Sequence, residues 1–202
     1  MAMLVIGLTG GIGSGKSFVA DIIKRHYPVA VIDTDSLARD LMKKGGSAYN
    51  RVKEYFGSGI LAEDGEIDRE RLSGIVFSDP DSLSKLNSLT HPAVQEKVLA
   101  LIRGYRESGN YLAVLVETAL LIEAGYQSFC DEVFYVHADE KIRRMRLKES
   151  RGYTDKKIDR ILANQKPEEE FIRHATWLIE NNSGEEEVLR QLEVIMSAKG
   201  IG

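Results

Sequence analysis

The sequence predicts an α/β fold: a parallel five-stranded sheet flanked by helices, with a mainly helical segment inserted into it. Three observations predict it. Short β-branched or apolar runs alternate with helical patterns from end to end, which requires crossover connections and so parallel strands. A glycine-rich stretch, Gly10-Gly11-Ile12-Gly13-Ser14-Gly15-Lys16-Ser17, joins the first apolar run directly to the first helical pattern. Residues 45–108 lie between two strand runs and are far longer and more helical than a simple crossover.

Leu4-Val5-Ile6 is the first strand, and Phe18 to Ile23 continues as a helix. Val29-Ala30-Val31-Ile32 is the second strand, ending at Asp33. Thr34 or Asp35 is the expected cap of a helix to about Lys43, stopped by Gly45-Gly46. Residues 47–57 place Tyr49, Val52, Tyr55 and Phe56 at helical spacing, and Gly57-Ser58-Gly59 breaks the pattern. Asp68 is the expected cap of a short helix through Val76. Asp79-Pro80-Asp81 starts another helical run, which His91-Pro92 should interrupt, because a residue before proline is held extended. Ala93 to Arg106 then reads as an amphipathic helix. Tyr111 to Glu117 is the third strand, apolar enough to be buried on both faces. Glu132 to His137 is the fourth. Asp139 opens a basic helix, Gly152-Tyr153-Thr154 breaks it, and a second helix runs from Asp155 to about Lys166. Trp177-Leu178-Ile179 is the last strand, and Glu185 to Ala198 closes the chain with Val188, Leu192 and Ile195 inward.

The 202 residues are enough for one well-buried core. A net charge of −4 argues against a nucleic-acid partner, and a single cysteine, Cys130, excludes an intrachain disulfide. No run approaches the roughly 20 apolar residues of a membrane span. The expectation is a cytoplasmic protein with no membrane partner.

The glycine stretch has the spacing G-x-x-x-x-G-K-S after a strand and before a helix. Glycines let the backbone curl so that successive N–H groups share one concavity, and the helix N-terminus adds its positive dipole end. This suits a nucleoside triphosphate held by Gly11, Ile12, Gly13, Ser14, Gly15, Lys16 and Ser17. Lys16 is the phosphate point charge and the Ser17 hydroxyl a ligand for Mg²⁺. Asp33 and Asp35 follow the second strand, where ligands of open α/β sheets collect. Each carboxylate either orients or deprotonates an acceptor hydroxyl, or holds Mg²⁺ through water, or caps the helix; Asp35 reads chiefly as the cap. Glu117, ending the third strand, reads as an outer group of the metal. Arg143, Arg144, Arg146 and Arg151 either meet phosphate or form a solvated face. His91 either contacts substrate or caps a turn. His26, His137 and His174 lack metal-ligand spacing and read as surface or packing residues, and Cys130 as a small buried hydrophobe.

These segments together resemble dephospho-CoA kinases. The resemblance runs through Ile6 to Ser17, Val31 to Arg39, Leu89-Thr90-His91-Pro92, Leu120-Leu121-Ile122-Glu123, Arg146-Leu147, Arg160 to Gln165 and Ile179 to Gly184, in that order. It implies transfer of the ATP γ-phosphoryl group to the ribose 3′-hydroxyl of dephospho-CoA, the last step of coenzyme A synthesis, with Mg²⁺. It also implies a P-loop nucleotide-kinase-like core within a single kinase domain spanning 1–202. The core would comprise 1–44 and 109–202, the CoA-binding region 45–108 and the lid 141–166. Asp33 would be the general base, with Lys16 and Arg146 as the other catalytic groups. Asp33, Arg39, His91 and Leu120 would meet the acceptor. Two positions depart from the family pattern. Ala119 replaces the usual proline, which leaves the backbone before Leu120 freer. Ser150 stands where a second lid arginine is usual, with Arg151 one place later. A nucleoside or nucleotide kinase shares the core and is the alternative acceptor class. A guanine-nucleotide switch lacks support, since no N-K-x-D motif is present, and a mechanochemical ATPase would end its strand Asp-Glu rather than Glu117-Thr118.

Overall fold

The computed structural model describes residues 2–202. They divide into two compact units: Asp33–Leu101, and the residues through Ile32 together with Ile102–Gly202.

The sheet contains β1 (Leu4–Thr9), β2 (Val29–Asp33), β3 (Ala113–Glu117), β4 (Glu132–His137) and β5 (Trp177–Glu180). Their order is β2-β3-β1-β4-β5, and the sheet is parallel, as the alternation of strands and helices requires. β1 is central, with Leu8 opposite Glu117 of β3 and Thr9 opposite Tyr135 of β4. Successive residues point to opposite faces. Ile6, Leu8, Leu115, Phe134, Val136 and Ile179 share one buried cluster with α1 (Lys16–His26) and α9 (Glu185–Ala198). The helices contribute Val19, Ile22 and Ile23, and Val188, Leu192 and Ile195. Each such side chain stabilises the fold by about 1.5–3 kcal/mol on burial. The alternate residues Val5, Val114, Val116, Val133 and Tyr135 are also buried, so the sheet is covered on both sides. There Leu121 and Cys130 lie over Gly7, where a Cβ would come within 2.5 Å of Leu121 Cδ1. Burial, then the charge of Asp131, push the Cys130 thiol up to about 12, so it packs as an inert hydrophobe.

The second unit holds α2 (Thr34–Leu41), α3 (Tyr49–Phe56), α4 (Arg69–Val76) and the first part of α5 (Pro80–Ser108). Its core is Val52, Ile60, Leu72 and Val76, with Met42, Phe56, Leu83, Leu86 and Leu89 packed on them. Asp68 caps α4 by accepting from the Glu70 and Arg71 amides. The break expected at His91-Pro92 is not there: α5 runs through it, and His91 is helical. Pro92 takes one N–H out of the ladder and crowds the carbonyl of Ser88, a cost of about 3 kcal/mol. Burial of Thr90 and Val94 beside it and of Val98 and Ile102 beyond it outweighs that local preference.

The remaining helices are α6 (Glu140–Arg151), α7 (Asp155–Ala163) and α8 (Glu168–His174). Asp139 precedes α6 but makes no side-chain cap, whereas Thr154 caps α7 through the Lys157 amide. α8 was not expected from the sequence. It begins after Pro167 with three glutamates and docks Phe171 on Tyr135, ring centroids 5.7 Å apart. No described helix is long and apolar enough to cross a membrane.

His137, at the end of β4, ties α8 to the sheet. Its Nδ1 contacts Glu168 Oε1, and its Nε2 lies 3.4 Å from Asp139 and 3.9 Å from Glu180. Burial alone would lower its pKa; the hydrogen bond and charge of Glu168, the charge of Glu180 and the Asp139 hydrogen bond prevail and raise it above the usual imidazole value. The folded state therefore holds this proton more tightly than the unfolded chain. The resulting stabilisation is complete below an unfolded pKa of about 6.5 and is lost as pH rises through the folded value. His137→Gln should lower the melting temperature by about 2–4 °C per kcal/mol lost at mildly acid pH. The gap to the parent should narrow at alkaline pH. Parallel melting curves at every pH would show that the imidazole carries no such proton.

Candidate active site

Thr9 ends β1, and the chain then leaves the sheet as Gly10–Gly15 before entering α1 at Lys16. A strand must turn sharply here to feed a helix. Gly13 and Gly15 do this with φ of +78° and +89°, a region closed to most side chains. Gly15 is the N-cap of α1, so no side chain covers the helix start. Lys16 Nζ donates to the Gly10 carbonyl at 2.8 Å, drawing the amine across the mouth of the loop. Ser17 Oγ donates to Glu117 Oε1 at 2.6 Å. The pair follows from the topology, since β1 and β3 are neighbours and Glu117 ends β3.

The loop is fastened from three other segments. Ile12 N–H donates to Gln165 Oε1 at 3.2 Å. The Ser14 carbonyl accepts from Asn181 Nδ2 at 2.8 Å and from Arg146 Nη1 at 3.2 Å. Arg146 Nη2 also donates to the Asn181 carbonyl at 2.9 Å. Arg143 lies flat over the loop: a Cβ on Gly11 would be 2.8 Å from its Nη1, and one on Gly13 2.9 Å from its backbone oxygen.

The four arginines divide by helix face. Arg143 and Arg146 meet the loop, while Arg144 turns away to Glu140 at 2.7 Å and Asp159 at 2.7 Å. Arg151 lies over Tyr153, 6.0 Å from the ring centroid. Ser150 hydrogen-bonds back to the Arg146 carbonyl, and α6 continues through it to Arg151. Four buried polar side-chain atoms around the loop have no protein partner: Thr9 Oγ1, Ser14 Oγ, Arg143 Nε and Asn181 Oδ1. Arg143 Nε can only donate, Asn181 Oδ1 can only accept, and the two hydroxyls can do either.

After β3, Thr118 Oγ1 accepts the Leu120 N–H at 3.1 Å. This bond spans Ala119. Leu120 is half-buried in the turn that follows.

In the second unit, Asp33 is the cap of α2, not Thr34 or Asp35. Its Oδ1 accepts from the Asp35 amide at 2.9 Å and the Ser36 amide at 3.1 Å, and its Oδ2 contacts Ser36 Oγ. A carboxylate one residue before the first helical residue reaches the free amides; one inside the first turn cannot. Asp35 is exposed in that first turn. Arg39 Nη2 bonds Ser36 Oγ at 2.5 Å and lies 3.8 Å from Asp33. His91 is half-buried on α5.

Sequence reasoning did not single out Asn181 or Gln165 as contacts of the loop. Asn181 follows β5 directly, so the strand-end rule that drew attention to Asp33 and Glu117 applies to it as well.

Comparison with known proteins identifies the family. Residues 4–187 match the family model for dephospho-CoA kinase (CoaE). A dephospho-CoA kinase of Geobacillus kaustophilus is 41% identical over 193 residues, covering 96% of this chain and 95% of the relative. The crystal structure of TT1252 from Thermus thermophilus superposes with a TM-score of 0.83 at 29% identity, covering 100% of both chains. A shikimate kinase of Acinetobacter baumannii shares the fold, with a TM-score of 0.56 at 15% identity over 98% of this chain and 95% of the other. A glycine loop built for phosphate on a kinase fold, and a match that leaves out little of the sequence, have one reading: the chain belongs to the dephospho-CoA kinase family.

Proposed function

We propose that this protein transfers the γ-phosphoryl group of ATP to the ribose 3′-hydroxyl of dephospho-CoA, giving coenzyme A and ADP. The observation that carries the reading is the match of residues 4–187 to the family, which takes in the assembled glycine loop. Backbone amides of Gly11–Gly15 and the start of α1 receive the phosphates, and Lys16 supplies a point charge at the transferring group. Arg146 holds the loop from the 141–166 segment, which acts as the lid that keeps water from the reaction. Asp33, at the end of β2, orients the acceptor hydroxyl and takes its proton. Arg39, His91 and Leu120 contact the acceptor. The reaction takes place in the cytoplasm, and its partners are small molecules.

Mg²⁺ fits the oxygens of Ser17 and Glu117. It prefers hard oxygen ligands and few protein groups, completing its shell with water and substrate phosphate. Ser17 would ligate it directly, with Glu117 oriented by the same hydroxyl. When bound, the ion neutralises charge on the β/γ-phosphate oxygens. Ser17→Ala should raise the Mg²⁺ concentration needed for half-maximal rate by about tenfold or more. A Mg²⁺ titration overlaying the parent would remove Ser17 from the metal shell.

The reading is tested by measuring ADP release from ATP and Mg²⁺ with dephospho-CoA, with nucleosides or with shikimate, and locating the phosphate in the product. Turnover should require dephospho-CoA and place phosphate on the 3′ oxygen. Turnover indifferent to the acceptor, or faster with a nucleoside, would overturn it.

A further inference from the structure

Asn181 is buried, and its side chain makes one protein hydrogen bond, from Nδ2 to the Ser14 carbonyl, with Oδ1 left without a protein partner. Its own backbone is held on both sides: its N–H donates to the His137 carbonyl at 2.8 Å, and its carbonyl accepts Arg146 Nη2. It is therefore a fixed post at the end of β5, not a loop residue that happens to touch the glycine turn. The Ser14 carbonyl belongs to the same peptide plane as the Gly15 N–H. In a trans peptide these two groups point in opposite directions. Whatever holds the carbonyl outward thus holds the Gly15 N–H inward, toward the concavity at the start of α1. A second donor, Arg146 Nη1, bonds the same carbonyl. The approach is close enough that a Cβ on Gly15 would collide with Asn181 Nδ2, so Asn181 in this position leaves room only for glycine at 15.

We infer that Asn181 is a positioning residue of the phosphate loop, setting the direction of the Gly15 amide through the Ser14 carbonyl. The inference rests on the kinase reading only for what the loop binds. Asn181 then acts on ligands that carry a β-phosphate, because the amide it aims lies beside Lys16, whose ammonium serves the β/γ-phosphates. Its effect should therefore scale with the presence of a β-phosphate rather than with the nucleoside.

The test is the affinity of Asn181→Asp and Asn181→Ala for ADP and for AMP, by calorimetry or competition, on protein whose far-UV spectrum matches the parent. The Asp variant is isosteric but turns a donor into an acceptor facing a carbonyl. The expected result is ADP affinity weakened about tenfold or more, the scale of one lost charge-assisted hydrogen bond. AMP affinity should hold within about twofold. The Gly15 amide resonance, which ADP should shift in the parent, should respond less in the variants. Should both variants fail to fold, Asn181→Ser, which is smaller and keeps a donor, is the milder third variant and should show a lesser loss with the same selectivity for ADP over AMP. Equal losses for AMP and ADP, or no loss of either, would overturn the inference. A parent that binds ADP but does not phosphorylate dephospho-CoA would overturn the proposed reaction and leave this inference standing.

Discussion

Asp33→Asn should reduce kcat with dephospho-CoA by about 10²–10⁴-fold, the usual cost of removing a general base, while ATP binding changes by less than about tenfold. A ribose hydroxyl is a poor nucleophile, and a carboxylate that accepts its proton late in the transfer acts mainly on the transition state. The substitution is unusually clean here because of what Asp33 does for the fold. Its Oδ1 caps α2, and asparagine caps a helix about as well as aspartate. The lost charge facing Arg39 is an exposed pair at 3.8 Å, worth at most about 1 kcal/mol. A large fall in kcat with an unchanged melting curve would therefore separate the chemical role from the structural one. Asp35→Asn is the control. Asp35 is exposed in the first turn and is not the cap, so its loss should cost a few tenths to about 1 kcal/mol through the helix dipole and little rate. If Asp35→Asn instead abolishes turnover while Asp33→Asn does not, the two roles are exchanged. If neither lowers kcat, transfer rests on positioning and electrostatics alone.

Lys16→Ala should lower kcat/KM by about 10²–10³-fold or more, the scale seen when one preorganised charge or donor at a transition state is removed. The side chain is half-buried, and its Nζ bonds the Gly10 carbonyl at 2.8 Å. That bond holds the ammonium at the mouth of the loop ahead of substrate. Its loss costs about 1 kcal/mol of stability, far too little to unfold a core whose β1 and α1 residues are fully buried. Alanine is also the best helix former for the first position of α1. Circular dichroism should match the parent, and single-turnover kinetics should place the defect in phosphoryl transfer. Parent-like turnover in the folded variant would remove Lys16 from the phosphate site.

Much of the fold was legible because it follows short-range rules. Apolar runs too dense to face water became β1, β3 and β4. Asp68 and Thr154 cap helices where a side-chain oxygen precedes a periodic segment. The glycine spacing pointed to the loop, because only glycine supplies two positive φ values so close together. Failures came where local preference met longer-range packing. Proline argued for a break at His91-Pro92, but buried residues on both sides carried α5 through it. The seven-residue α8 was missed although Pro167, three glutamates and a terminal Arg173-His174 announce its polarity; it is held by Phe171 on Tyr135 and by Glu168 at His137.

The same division runs through the site. By itself the sequence determined the candidate groups: a glycine loop, one lysine, one hydroxyl and carboxylates at strand ends, since these depend on residue type and spacing along a few residues. Only the tertiary structure decided which groups hold the cradle in shape. Four arginines crowd one stretch, and the helical turn sends Arg143 and Arg146 to the loop and Arg144 to Asp159. Asn181 lies 167 positions from Ser14 and Gln165 lies 153 from Ile12, yet both bond the glycine loop. Local pattern carries no information about such pairs. Asn181 reaches the loop because β5 runs parallel to β1 with only β4 between them, so both strands end at the same edge of the sheet, and Gln165 reaches it from the segment after α7.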